Sequence, residues 1–136
     1  MMMNYYLMFD RSCEEALKLY EKAFGGQIVE MQKFSDMPPN PNYPVAEENK
    51  DLVLHARLQI GEAMFMCSDS SGHTAPGSNM YISITGDKAL VEGAWNDLKE
   101  GGKVEMDLTP TFFAELHGSL QDKFGINWMF TVEKPS

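Results

Sequence analysis

Two segments of this chain are written on one plan. AFGGQIVEMQ at 23–32 and KEGGKVEMDL at 99–108 each close a helical stretch on a Gly-Gly pair and open an apolar-alternating strand. Their offset is 101 − 25 = 76 residues, and the same step carries Tyr81, in MYISIT, back onto Tyr5, in YYLMF. A strand–helix–Gly-Gly–strand unit is therefore predicted twice, and internal self-similarity of this kind constrains a fold more than any single motif. A chain of 136 residues, 43% of them apolar, is long enough for one compact domain or for two fused half-size modules with a real core.

Punctuation supports the same division. In the first half Ser12 and Glu15 have the spacing of a capping box. Cys13, Ala16, Leu17, Tyr20 and Phe24 then recur on one helical face. Gly25 and Gly26 stop the helix, because glycine accepts the left-handed conformation at a helix end. In the second half Asp87 is placed to cap, and Leu90, Val91, Ala94 and Leu98 make the apolar stripe, with Trp95 beside it and Gly101-Gly102 as the stop. Two further strands follow each unit: DLVLHARLQI and EAMFMCS around Gly61, then FFAELHGSL and INWMFTV around DKFG. The expected fold is α+β, two βαβββ modules spanning 1–70 and 71–136 within one structural domain. They are joined by the polar segment SSGHTAPGSN, in which His73 is expected to be exposed. The segment SDMPPNPNYPVAEENK at 35–50, with four prolines, is long for a connection. It reads as a lid or partner contact, or as a passive loop.

Strand alternation assigns faces. In DLVLHARLQI, the residues Leu52, Leu54, Ala56, Leu58 and Ile60 suit a helix-packed face, leaving Val53, His55, Arg57 and Gln59 on the other. In MYISIT, Tyr81, Ser83 and Thr85 are left opposite the apolar set; in INWMFTV, Asn127, Met129 and Thr131 are. Each half is thus expected to form a sheet with one apolar face and one mixed face, and two such curled sheets enclose a cup lined by the mixed faces.

The stretches YLMFDRSCEEALKLYEKAFGG, LHARLQIGEAMFMCSD and DKFGINWMF resemble the vicinal-oxygen-chelate superfamily of glyoxalase I, bleomycin-resistance proteins and extradiol dioxygenases. Within it they are similar to the PhnB-like branch, sometimes labelled 3-demethylubiquinone methyltransferase-like. The resemblance spans essentially the whole chain and implies a homodimer with its cups at or near the interface. In metal-dependent members four His, Glu or Gln ligands enter the cup, from the first and last strand of each half. Carried onto this sequence, those positions fall on Tyr5, Met66, Tyr81 and Met129. Thioethers and neutral phenols are poor donors to divalent zinc, nickel, manganese or iron. No metal and no cofactor is therefore expected. Tyr and Met instead suit a pocket for a flat or apolar small molecule. The expected lining is Tyr5, Leu7, His55, Arg57, Met66, Tyr81, Glu115, His117, Asn127 and Met129, with His55 and Arg57 orienting the ligand. Arg57 has the planar fork that binds a carboxylate or phosphate, and is equally placed to pair with a neighbouring acid such as Glu115. Two rival readings stand beside binding. One is a lyase, isomerase or dioxygenase with a displaced metal site at His55, Glu115 and His117. The other is a structural dimer whose cup is filled by its own side chains.

The charge excludes other classes. Eleven basic and 20 acidic residues give −9, which repels phosphate backbones and anionic lipid heads, so neither nucleic acid nor membrane is an expected partner. Two cysteines, Cys13 and Cys67, make no disulfide framework or CxxC motif. With no basic leader in MMMNYYLMF and no membrane-length apolar run, a cytoplasmic setting is expected. Ser68 and Ser70 sit in no GxSxG elbow, and no glycine-rich strand-to-helix turn is present to hold a nucleotide cofactor.

Overall fold

The Gly-Gly stops and strand alternation translate into two separate units, Met1–Thr74 and Ala75–Ser136. The computed structural model describes every residue except Tyr43, Ser71, His73 and Ser136, so the expectation for His73 falls outside the described residues. The first unit runs β1 (Tyr5–Asp10), α1 (Cys13–Phe24), β2 (Gln27–Lys33), β3 (Val53–Ile60) and β4 (Ala63–Ser70). Its four-stranded sheet has the order β1-β4-β3-β2, with β1 parallel to β4 and the other pairs antiparallel. The second unit runs β5 (Ile82–Thr85), α2 (Lys88–Lys99), β6 (Lys103–Thr109), β7 (Leu116–Gln121) and β8 (Asn127–Val132). Its sheet has the corresponding order β5-β8-β7-β6 and the same mix of directions. This is the expected α+β fold of two βαβββ modules.

Each helix lays its apolar stripe on its own sheet. Cys13, Ala16, Leu17 and Tyr20 are fully buried against Phe9, Ala56, Leu58 and Cys67. Val91, Ala94, Trp95 and Leu98 cover Leu120, Trp128 and Phe130, with Trp95 edge-on to Phe130 at 5.6 Å. Burying one large side chain of this kind contributes about 1.5–3 kcal/mol. Trp95 therefore packs helix to sheet, and Trp128 is core.

The helix ends match the sequence in one half and depart from it in the other. Asp87 accepts the Leu90 amide at 2.8 Å and caps α2. Ser12 makes no side-chain cap to α1. Asp69, from β4, takes that role: its carboxylate accepts the Cys13 amide at 2.8 Å and the Val53 amide at 2.9 Å. Gly25 at φ 66° and Gly101 at φ 74° adopt the left-handed conformation at the helix stops. The glycine after each lies against the end of its sheet: a Cβ on Gly26 would stand 2.9 Å from the Gln59 carbonyl, and one on Gly102 would stand 2.4 Å from that of Gln121.

Three strand expectations need correction. Val53 is fully buried rather than on the mixed face, because a bulge between Gln32 and Lys33 passes over Leu54 and returns Val53 to the helix side. Tyr81 precedes β5, and Glu115 precedes β7, where it is joined to the sheet through its amide donating to the Val132 carbonyl at 2.8 Å. The repeat is also not in one register. Cross-strand pairing makes Met66 equivalent to Met129, and their partners on the first strands are Tyr6 and Ser83, a step of 83 − 6 = 77. The helices start 88 − 13 = 75 apart, and the left-handed glycines 76 apart.

Candidate functional site

The open face of each sheet, opposite its helix, is organised as cross-strand rungs. In the first unit one rung crosses all four strands: Tyr6 on β1 pairs with Met66 on β4, Met66 with Arg57 on β3, and Arg57 with Glu30 on β2. Paired residues share a face, so a phenol, a thioether, a guanidinium and a carboxylate stand in one row. Beside it Met8 pairs with Ser68, whose hydroxyl donates to the Met8 sulfur at 3.0 Å. The His55 ring lies 6.3 Å from that of Tyr6. Tyr6 and Met8 are 48% and 44% exposed, and Met66 and His55 are half-buried, so this face is open within its unit.

In the second unit the equivalent rung is Ser83, Met129, Ser119 and Met106. The next is Thr85, Thr131, His117 and Thr109, in which His117 Nδ1 and Thr131 Oγ1 are 3.0 Å apart. Phe113 sets its ring 4.9 Å from the His117 imidazole. Tyr81 donates its hydroxyl to the Glu105 carboxylate at 2.9 Å, and that acceptor holds its phenol above the usual tyrosine range.

Several expected site residues go elsewhere. Tyr5 pairs with Phe65 and Leu7 with Cys67, so both lie on the helix side; the Tyr5 ring is 5.7 Å from that of Phe65. Tyr6 stands where Tyr5 was expected, since the one-residue difference in the repeat step inverts the face. Asn127 is a buried clamp. Its amide donates to the carbonyls of Gly77 and Met80 at 2.9 and 3.0 Å, while its oxygen accepts from Gln121 at 3.1 Å. Arg57 faces Glu30 at 4.0 Å within its own sheet. Glu115 is exposed, and His117 is engaged with Thr131. Among the described residues no three His, Cys, Asp or Glu side chains are grouped to hold a metal ion. His55, Arg57, Met66, His117 and Met129 do lie on the open faces.

Cys13 and Cys67 are free and buried. Burial pushes Cys67 up to about 12, and burial, with Cys67 and Asp69 nearby, pushes Cys13 higher still. The β–α connections, Arg11-Ser12 and Gly86-Asp87, contain no glycine-rich phosphate loop. Clefts of about 300, 380 and 490 Å³ lie along the proline-rich segment, lined by Phe34, Met37, Pro38, Pro39, Pro44 and Val45 among others. Among the described residues no helix is long and apolar enough to cross a membrane.

The sequence reading missed Tyr6, Met8 and Glu30. The signal for Tyr6 and Met8 is in NYYLMFD: Leu7 and Phe9 form the more apolar set, which puts Tyr5 with them and Tyr6 and Met8 opposite. Glu30 becomes visible only once β2 and β3 are in register.

A family model described as 3-demethylubiquinone-9 3-methyltransferase matches residues 2–131. The chain belongs to this family. The chain is also 36% identical to the solved structure of protein PA1353 from Pseudomonas aeruginosa, with TM-score 0.84 over 99% of each chain. It is 25% identical to a PhnB protein from Bacillus cereus, with TM-score 0.81 over 97% of this chain and 99% of that one. Escherichia coli YjdN is 29% identical over 137 residues, covering 95% of this chain and 93% of YjdN. The fosfomycin resistance protein FosX of Mesorhizobium loti, 11% identical with TM-score 0.62 over 96% of this chain and 90% of that one, shares the fold alone. The chain is thus a PhnB-like member with the glyoxalase fold.

Proposed function

We propose that this PhnB-like protein binds an apolar or aromatic small molecule against the open faces of its sheets and that it does so without a metal. The carrying observation is the pair of equivalent rungs: the first and last strands meet as Tyr6/Met66 in one unit and Ser83/Met129 in the other. FosX from Listeria monocytogenes, which has this fold at 8% identity, is described in complex with Mn(II). The side chains of these two pairs do not fit such an ion, since phenol, alcohol and thioether are weak donors beside the carboxylate and imidazole that suit divalent metals. Met adapts to irregular apolar shapes and Tyr offers a flat face with a polar tip, which is what a small-molecule surface needs. A homodimer and a cytoplasmic setting belong to the same reading.

Ligand that binds only the folded state raises the melting temperature. Thermal shift of untagged protein against a panel of aromatic and apolar metabolites is expected to give dose-dependent stabilisation that is lost in Tyr6→Ala/Met66→Ala. A panel that shifts nothing, or stoichiometric metal surviving dialysis and needed for turnover, would overturn the reading.

A further inference from the structure

The rung Tyr6–Met66–Arg57–Glu30 carries two opposite charges in loose contact. Arg57 Nη1 and Glu30 Oε2 are 4.0 Å apart, and the side chains are 46% and 39% exposed. A guanidinium fixed for structural reasons engages its carboxylate in two short bonds of about 2.8 Å. Here the fork stands on a central strand with its donors open to the face. The scaffold does not require it: the equivalent rung of the second unit is Ser83–Met129–Ser119–Met106 and carries no charge.

Spacing sets the size of what fits. Adjacent strands lie about 4.8 Å apart, so Arg57, two strands from Tyr6, is roughly 10 Å away along the rung, with Met66 between. That is the span of a fused bicyclic ring with one acidic substituent. We infer that the open face of the first unit takes a planar aromatic carboxylate, its ring on Tyr6 and Met66 and its acid on the Arg57 fork. The inference rests on the binding reading above and adds the ligand's charge and length. Glu30, on the edge strand, turns to solvent when the acid arrives, since a loose exposed ion pair costs little to break. His55, with its ring 6.3 Å from Tyr6, flanks the aromatic end.

Calorimetry and thermal shift on the full chain, with 2-naphthoate, 2-naphthamide and 2-naphthylmethylamine as probes, test it. The carboxylate is expected to bind about ten- to hundredfold more tightly than the amide, the range for a charge-assisted bidentate contact. Arg57→Gln is expected to bring the carboxylate down to the amide's affinity and leave the amide unchanged, with Arg57→Lys intermediate. Glu30→Gln is expected to leave carboxylate binding equal or stronger. Unchanged melting temperatures of the unliganded variants show that folding is intact, as befits exposed positions. Equal binding of carboxylate and amide by the wild type overturns the inference and leaves the aromatic-binding reading standing. Preference for the amine, lost in Glu30→Gln, overturns it in favour of a cationic ligand. Failure of all three probes overturns the inference, while the binding reading beneath it stands or falls with the wider metabolite panel.

Discussion

Asp122 shows how one carboxylate fixes a turn and a core side chain together. Its Oδ1 accepts the amides of Phe124 and Ile126 at 2.9 and 3.0 Å, and its Oδ2 accepts the Trp128 indole N–H at 2.9 Å. With the residue 3% exposed, losing the carboxylate removes three hydrogen bonds, one of them to the buried Trp128 indole. Asp122→Ala is expected to cost about 3 kcal/mol or more, seen as a fall in melting temperature of roughly 10 °C. Asp122→Asn separates the two jobs, because it keeps an oxygen for the amides and turns an N–H₂ toward the indole. Tyr81 makes a pH prediction. Its folded-state pKa is raised by the hydrogen bond to Glu105, so the contact is fully present below the unfolded tyrosine value near 10 and is lost as pH climbs through the higher folded value. Ultraviolet titration of wild type minus Tyr81→Phe is expected to show this phenol ionising above the ordinary range, and Glu105→Ala to bring it back. A Tyr81 transition at the ordinary value in the wild type contradicts the contact.

At the scale of elements, the paired glycines after the helices do different work. Gly25 has open space where a Cβ would go but a left-handed backbone, whereas Gly102 would drive a Cβ to 2.4 Å from the Gln121 carbonyl. Gly25→Ala is expected to cost about 1–2 kcal/mol, the left-handed penalty. Gly102→Ala is expected to cost more, about 2–3 kcal/mol, because β7 backbone must shift. Chemical denaturation of both variants checks the order. These stops were legible in the sequence because glycine is the residue that tolerates both demands, and the apolar stripes made the helices equally plain. The cap of α1 was not legible: Asp69 is 56 residues from Cys13, and only the fold brings a β4 carboxylate to that helix end. Val53 was unreadable for a related reason, since alternation counts residues and the bulge in the β2–β3 pairing breaks the count. The face of β1 failed through a single repeat step applied to a chain whose first strands, helix starts and glycine stops repeat at 77, 75 and 76.

For the whole molecule, the duplicated plan was readable because each βαβββ unit buries its own helix stripe against its own sheet, so local pattern and local packing agree. The open faces were harder, because a face packed on no helix of its own unit imposes no apolar alternation for a reader to follow. What covers those faces has to be compatible with the charge of the whole. At −9, with a sequence pI near 4.7, the chain sets up a field that disfavours polyanions while leaving a single guanidinium such as Arg57 free to act at contact range. Polyanion binding depends on releasing many counterions from phosphates through several cationic contacts, and log affinity falls by roughly 0.9 per contact with each tenfold rise in salt. A chain whose 11 cations are outnumbered by 20 acids is poorly supplied with such contacts. Fluorescence anisotropy with labelled duplex DNA, and co-sedimentation with phosphatidylserine vesicles, are therefore expected to show no binding even at about 50 mM salt, where such contacts are strongest. Saturable, salt-sensitive binding in either assay would mean that the basic residues converge on one surface, and the small-molecule reading of the open faces would then compete with a polyanion for the same arginine.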